Sequence, residues 1–222
     1  MTTERLSKRK DSALFLLEAL IVFGLFWADI HHWRHVVLFS KTPYLLVLGW
    51  ISLRVRGVSW KSIGFTRPAS WRSVVVWGLV AGVAMECLEL FATQPLLMRL
   101  LHAPPDLSFL TELRGNVAEL VVVLALTWTL AAFGEELAWR GYILNRIADV
   151  IKLPRLRWPV AVVLSSAVFG LAHFELLELL GLSAFGAVLA LMAYKFRRLG
   201  PGIFAHGTFN LLAILSVAGV LH

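Results

Sequence analysis

The sequence predicts an all-α fold, a polytopic bundle of about seven transmembrane helices, and three observations support this prediction. First, 59% of the 222 residues are hydrophobic and only 16% are charged, whereas an ordinary soluble domain is about 25% charged. Second, the mean hydropathy is +0.76. Third, apolar runs close to the roughly 20 residues that cross a hydrocarbon core recur along the chain. These observations exclude an ordinary soluble domain.

The predicted spans follow one another with short polar connections. They cover residues 12–30, 36–53, 74–97, 117–133, 158–174, 177–194 and 203–221. The first is longer than a typical signal-peptide core, and it carries Glu18 and Asp29 in place of a small-residue cleavage site. The second is interrupted by Lys41 and Pro43, so a short, kinked or tilted crossing is expected there.

The distribution of Lys and Arg predicts the orientation in the membrane. If the N-terminus is cytoplasmic, seven crossings place most of the 21 basic residues on the cytoplasmic side. The exceptions are Arg34, Lys41, Arg99 and Arg114. This asymmetry follows the positive-inside rule. Membrane topology thereby explains the net charge of +7, and the expected partners of the basic loops are anionic lipids and not nucleic acid. We expect a multi-pass protein of the cell (plasma) membrane.

A charged motif, FGEELAWRGYILNRI, lies in an apolar environment at residues 133–147. Each ionisable residue at membrane depth costs about 2.5 to 3.5 kcal/mol on insertion scales, so such residues indicate function. On a helix Arg140 lies on the same face as Glu136, four residues earlier, while Glu135 points elsewhere. Glu136 can therefore neutralise Arg140. Glu135 is left without a local cation, facing another helix, and is a candidate general base.

Two later spans carry further polar groups. SSAVFGLAHF places His173 near the end of the fifth span, and AHGTFN places His206 and Asn210 four residues apart on one face of the seventh. A single membrane histidine is more often a hydrogen-bond partner between helices, but three spans with such groups favour one shared site in a cavity. Glu86 and Glu89 share a face of the third span, where they either line a water-accessible cavity or pair with a basic residue.

Three short patterns carry a resemblance to a known family. EELAWR fits EExxxR, FGLAH fits FxxxH and HGTFN fits HxxxN, in this order on successive spans. The chain resembles the CPBP family (CAAX proteases and bacteriocin-processing enzymes, also called the Abi family) from about residue 59 to its C-terminus, including the stretch IGFTRP. We therefore divide it into a basic cytoplasmic N-terminus (1–11), N-terminal transmembrane helices (12–58) and a CPBP-like intramembrane protease domain (59–222).

The resemblance implies an intramembrane endopeptidase that cleaves a peptide bond with activated water. Glu135 with His173 would activate the water, and Glu136 with Arg140 would maintain the electrostatics of the site. His206 with Asn210 would bind the developing oxyanion. The implied substrate is a peptide or protein. A lipidated C-terminal tail that approaches from the cytoplasmic leaflet would fit.

Other chemistries compete with this interpretation. Two histidines and two glutamates could hold a metal, but the chain has no HExxH sequence, and Asn210 stands where a second ligand on its helix would lie. We therefore expect no cofactor. A non-catalytic membrane protein for bacteriocin immunity or partner binding is the alternative from another class, and ion or proton transport is a third. The sequence leaves the substrate's identity and the oligomeric state open.

Overall fold

A computed structural model describes the protein over residues 8–33, 36–37, 40–102, 108–173 and 176–219. Ten α-helices occupy these ranges, with no strand among them. They are α1 (Lys8–Ile30), α2 (Thr42–Arg56), α3 (Trp71–Leu88), α4 (Gln94–Leu101), α5 (Ser108–Glu112), α6 (Val117–Leu126), α7 (Leu144–Val150), α8 (Pro154–Leu171), α9 (Leu176–Phe196) and α10 (Gly200–Val217). Two π-helical segments, π1 (Glu89–Thr93) and π2 (Thr127–Ile143), join α3 to α4 and α6 to α7. The predicted fold class, a helical transmembrane bundle, is confirmed.

Five helices in the described part of the chain are long and apolar enough to cross a membrane. They are Lys10–Ile30, Trp71–Leu100, Val117–Val150, Leu179–Phe196 and Gly200–Val217. The sequence predicted about seven. Helix α2 has only 15 residues, and α8 begins with the polar stretch PRLRW, so neither reaches that standard. Residues 1–7, Arg34 and the predicted span ends at 174 and 221 lie outside the described residues.

Helices α3 and α10 pack closely because glycines face the partner backbone. A Cβ atom on Gly82 would lie 2.6 Å from the carbonyl oxygen of Ala205, and one on Gly78 would overlap Phe204. Small residues allow this close approach in membrane bundles, where packing drives helix association. The order of the contacts shows that the two helices run parallel. This pairing fixes α10 relative to α3.

Most Lys and Arg residues of the described helices gather at one end of the bundle. Arg146 in α7 pairs with Glu18 at 2.5 Å and with Asp11 at 3.0 Å, which places the start of α1 there. Arg56 at the end of α2 pairs with Asp149 at 3.0 Å. The N–H of Leu199 donates to the carbonyl of Gly64, so the loop before α3 and the start of α10 meet at this end too. We call this the basic end and the opposite one the far end.

Candidate active site

The motif residues lie on π2, where the backbone makes hydrogen bonds five residues apart. At its end, the N–H of Leu144 donates to the carbonyl of Trp139. The side-chain amide of Asn145 donates to the carbonyls of Arg140 and Gly141, each at 2.9 Å, and so caps the transition to α7. The sequence predicted an ordinary α-helix here. Short π-helical segments often occur at functional sites, whereas π2 is 17 residues long and covers residues 133–143 of the motif.

Glu136 is fully buried and connects two helices. Its Oε1 accepts a hydrogen bond from Nη1 of Arg140 at 2.7 Å and another from Nδ1 of His206 at 3.1 Å. Its Oε2 has no hydrogen-bond partner among the described residues. A Cβ atom on Gly202 would lie 2.9 Å from this oxygen, so the glycine leaves room for it. Because a carboxylate paired with arginine only accepts hydrogen bonds, Nδ1 of His206 carries a proton.

Arg140 is buried in the interior of the bundle. Its Nη2 donates to the carbonyl of Gly186 at 3.3 Å, and its guanidinium carbon lies 4.4 Å from the centre of the Phe169 ring. Such a contact adds a cation–π attraction to the ion pair. The predicted pair of Glu136 and Arg140 is therefore present, and it lies behind the site, where it holds His206.

His173 follows the last turn of α8. Its Nδ1 lies 2.8 Å from the carbonyl oxygen of Phe169, four residues earlier. A carbonyl only accepts, so Nδ1 carries the proton and Nε2 keeps a free electron pair. The two rings also pack together, with centroids 4.8 Å apart. Phe169 thereby orients a ring nitrogen that can take a proton from water.

Four of the six predicted site residues line one cavity of about 550 Å³. Glu135 enters it from π2, His173 from the end of α8, and His206 and Asn210 from α10. This volume lies within the range of about 300–1,000 Å³ that is typical of ligand pockets. Glu136 and Arg140 are the two that do not line it. The structure thus brings together three helices that are distant in sequence.

The cavity extends toward the far end of the bundle. Its lining there includes Leu110, Thr111 and Arg114 before α6, and Ser216 and Val217 at the end of α10. Nε of Arg114 donates to the carbonyl of Val217 at 3.0 Å. Arg114 and Thr111 are exposed, so this part is the mouth.

Glu86, Glu89 and Gln94 also line the cavity. For the two glutamates the sequence left two alternatives, and the structure supports a place in the cavity wall. The sequence did not indicate that Arg114, Thr111 and Gln94 line the cavity, because polar residues at helix ends are common. Across the described ranges, no group of three or more His, Cys, Asp and Glu residues could hold a metal ion. The expectation that no metal takes part stays a prediction.

Residues 117–212 match a protein family described as Type II CAAX prenyl endopeptidase Rce1-like. The matched segment runs from the start of α6 into α10 and contains all six predicted site residues. No curated protein matches the chain, and no solved structure matches it. The match supports the predicted resemblance at the level of the family.

Proposed function

We propose that this chain, whose residues 117–212 match the CAAX prenyl endopeptidase family, is an intramembrane endopeptidase in which Glu135 and His173 activate a water molecule. The observation that carries the proposal is that Glu135, His173, His206 and Asn210 line the same cavity. The membrane-spanning helices and the family together support a hydrolase that acts on peptide or protein substrates in or near the membrane.

The proposed reaction begins with a water molecule between the carboxylate of Glu135 and the free Nε2 of His173. One of these groups takes a proton as the water oxygen attacks the carbonyl carbon of the peptide bond. The tetrahedral intermediate then loses its amine as the carbon–nitrogen bond breaks, and the proton passes to the leaving nitrogen. The hydrogen bond between Nδ1 of His173 and Phe169 supports this role, because it leaves Nε2 free.

Asn210 and His206 have different parts in this proposal. The side-chain amide of Asn210 can donate a hydrogen bond to an oxyanion in its ordinary state. His206 already uses Nδ1 for Glu136, so it can donate from Nε2 only when both ring nitrogens are protonated. The Glu136 carboxylate would balance the resulting charge. We therefore assign the oxyanion contact to Asn210 first, and to His206 when it is protonated.

The side from which substrate enters follows from the two ends of the bundle. By the positive-inside rule the basic end is cytoplasmic, which also puts the start of α1 on that side. The mouth of the cavity, at Thr111 and Arg114, is at the far end. We propose that substrate enters from the extracytoplasmic side of the plasma membrane. This proposal replaces our sequence-based expectation of access from the cytoplasmic leaflet.

Cysteine labelling in intact cells tests this orientation. In a Cys87→Ser background, Glu112→Cys marks the far end and Arg155→Cys the basic end; both positions are exposed. We expect a membrane-impermeant maleimide to label the first variant in intact cells and the second only after the cells are opened. The reverse pattern would exclude extracytoplasmic access and leave the chemistry open to test.

Glu135→Gln tests the chemistry. Purified protein in proteoliposomes is mixed with a peptide library, and mass spectrometry identifies the products. We expect the variant to lose about 10²–10⁴-fold in rate, the usual contribution of a positioned acid or base. Glu119→Gln, at an exposed position outside the cavity, is the matched control. If Glu135→Gln cleaves as fast as the control, the proposed mechanism fails. An unchanged cellular phenotype would then favour a binding role.

A further inference from the structure

The cavity contains a second pair of carboxylates that the proposed chemistry does not use. We propose that Glu86 and Glu89 form an acidic subsite that binds a Lys or Arg side chain of the substrate peptide, close to the bond that is cut. This inference rests on the proposed function, because it names a feature of the substrate of that same site.

Glu86 provides the stronger structural support for the subsite. It lines the cavity, although only 4% of its surface is exposed. Its Oε2 is buried and has no hydrogen-bond partner among the described residues. Leaving such a group unsatisfied is unfavourable, and more so when it is charged. A donor that arrives with the substrate in the cavity that Glu86 lines would remove this cost once the carboxyl group turns toward it.

Glu89 lies three residues later, on π1, and its carboxylate is held in place. Oε2 accepts a hydrogen bond from the hydroxyl of Thr93. Across the cavity wall is Gly181 of α9, where a Cβ atom would lie 3.0 Å from the same oxygen. The glycine thus leaves space beside the carboxylate. Both acidic groups line one cavity, Glu86 from the end of α3 and Glu89 from the start of π1.

The charge of the cavity contrasts with the charge of the chain. The protein carries a net charge of +7, yet three carboxylates, those of Glu86, Glu89 and Glu135, line the cavity. In the described part of the chain neither Glu86 nor Glu89 forms an ion pair. Arg114 is at the mouth, where its Nε is bound to Val217. The complementary ligand is an ammonium or, with its fork of donors, a guanidinium.

The parallel packing of α3 and α10 places the subsite next to the chemistry. Gly82 faces Ala205 and Thr208, so Glu86, one turn further along α3, lies beside the part of α10 that carries Asn210. Glu86, Asn210 and Glu135 line one continuous cavity. A basic side chain held by Glu86 would therefore belong to a residue near the scissile bond.

A binding experiment tests the subsite without requiring catalysis. Full-length Glu135→Gln protein in detergent micelles is titrated with fluorescein-labelled hexapeptides in which each position in turn carries Arg or citrulline, its neutral isostere. We expect Arg to bind about 10-fold tighter or more than citrulline at one position, since hydrogen bonds to charged groups contribute about 1.5–3 kcal/mol. Adding Glu86→Gln and Glu89→Gln should reduce this preference to less than about twofold. Glu119→Gln should leave it unchanged.

The outcomes separate the subsite from the proposed function. If no position prefers Arg, or if the preference survives both substitutions, the subsite is excluded and the endopeptidase proposal stands. If Arg is preferred but the protein with Glu135 intact cleaves no peptide, the acidic subsite stands and the endopeptidase proposal fails. Should Glu86→Gln not fold, Glu89→Gln alone, at a partly exposed position, provides the same comparison.

A cleavage assay gives the second readout. For wild-type protein we expect kcat/KM to be about 10-fold higher for the Arg peptide than for its citrulline counterpart. In the double variant Glu86→Gln, Glu89→Gln, kcat/KM for the Arg peptide should fall to that for the citrulline peptide, so that the preference is lost. Equal loss on both peptides would show that the pair supports folding or chemistry in place of recognition, and would overturn the inference.

Discussion

Glu135 and Glu136 are adjacent in the chain, but they lie in two different regions of the molecule. Glu136 is on the closed side of π2, where its Oε1 binds Arg140 and His206 and its exposed fraction is 0%. Glu135 is partly exposed and lines the cavity. A carboxylate with buried partners can maintain structure, whereas one that faces an open cavity is available for chemistry. The contrast between the closed side and the cavity side assigns different roles to identical side chains.

The largest expected effect on stability comes from removing one charge of the buried ion pair on the closed side of π2. Glu136→Gln removes the charge that compensates buried Arg140, and losing one partner of a buried ion pair costs about 3–5 kcal/mol. Glu135→Gln should change stability by about 0.5 kcal/mol or less, because Glu135 forms no hydrogen bond or ion pair with a buried side chain among the described residues. Thermal unfolding in detergent measures both variants. Equal destabilisation would show that the two regions do not differ as described.

A second buried pair sharpens the comparison, because it lies away from the cavity. Arg146→Gln leaves Glu18, which it binds at 2.5 Å, without its cation, and we expect a loss of about 3 kcal/mol. Replacing both residues by Met should restore most of this stability, since a packed apolar pair often equals a buried ion pair. Cleavage by folded protein should not change. A large loss of activity in the double variant would mean that this end of the bundle contributes to the site.

The sequence predicted the parts of this arrangement that depend on local spacing. Apolar runs predicted the long helices, and the separation of four residues predicted the pair of Glu136 and Arg140. By contrast, the hydrogen bond between His206 and Glu136 joins residues 70 positions apart, and only the packed fold brings them together. The π-helical backbone of the motif was also missed, because the side chain of Asn145 and the surrounding helices support it and no residue pattern indicates it. Of the predicted spans that the structure does not support, α2 is too short, with 15 residues, and α8 is too polar at its start.

A smaller effect is expected from disturbing the contact between α3 and α10, which both contribute to the cavity wall. In Gly82→Leu a side chain would enter the space now filled by Ala205 and Thr208. Overpacking of this kind costs about 1–3 kcal/mol, and it would move α3, which carries Glu86, away from α10. Thermal unfolding reports the loss of stability, and the peptide assay should show weaker discrimination between Arg and citrulline. Gly24→Leu is a suitable control, because no atom lies within 4 Å of a Cβ placed there. If both variants behave alike, the close packing of α3 on α10 does not matter for the subsite.

The smallest expected effect concerns a single hydroxyl on the cavity side. Thr93→Val keeps the shape of the side chain and removes the hydrogen bond to Oε2 of Glu89. One such bond is worth about 1 kcal/mol, so the free energy of unfolding should fall by no more than this, and loss of the held carboxylate should weaken binding of the Arg hexapeptide by up to about fivefold. Binding of the citrulline peptide should remain unchanged. Thr111→Val is the matched control, since Thr111 lines the same cavity but donates to the backbone of Ser108. Equal weakening in both variants would mean that the cavity responds to general polarity, whereas an effect confined to Thr93 would place the recognition of the cation at Glu89.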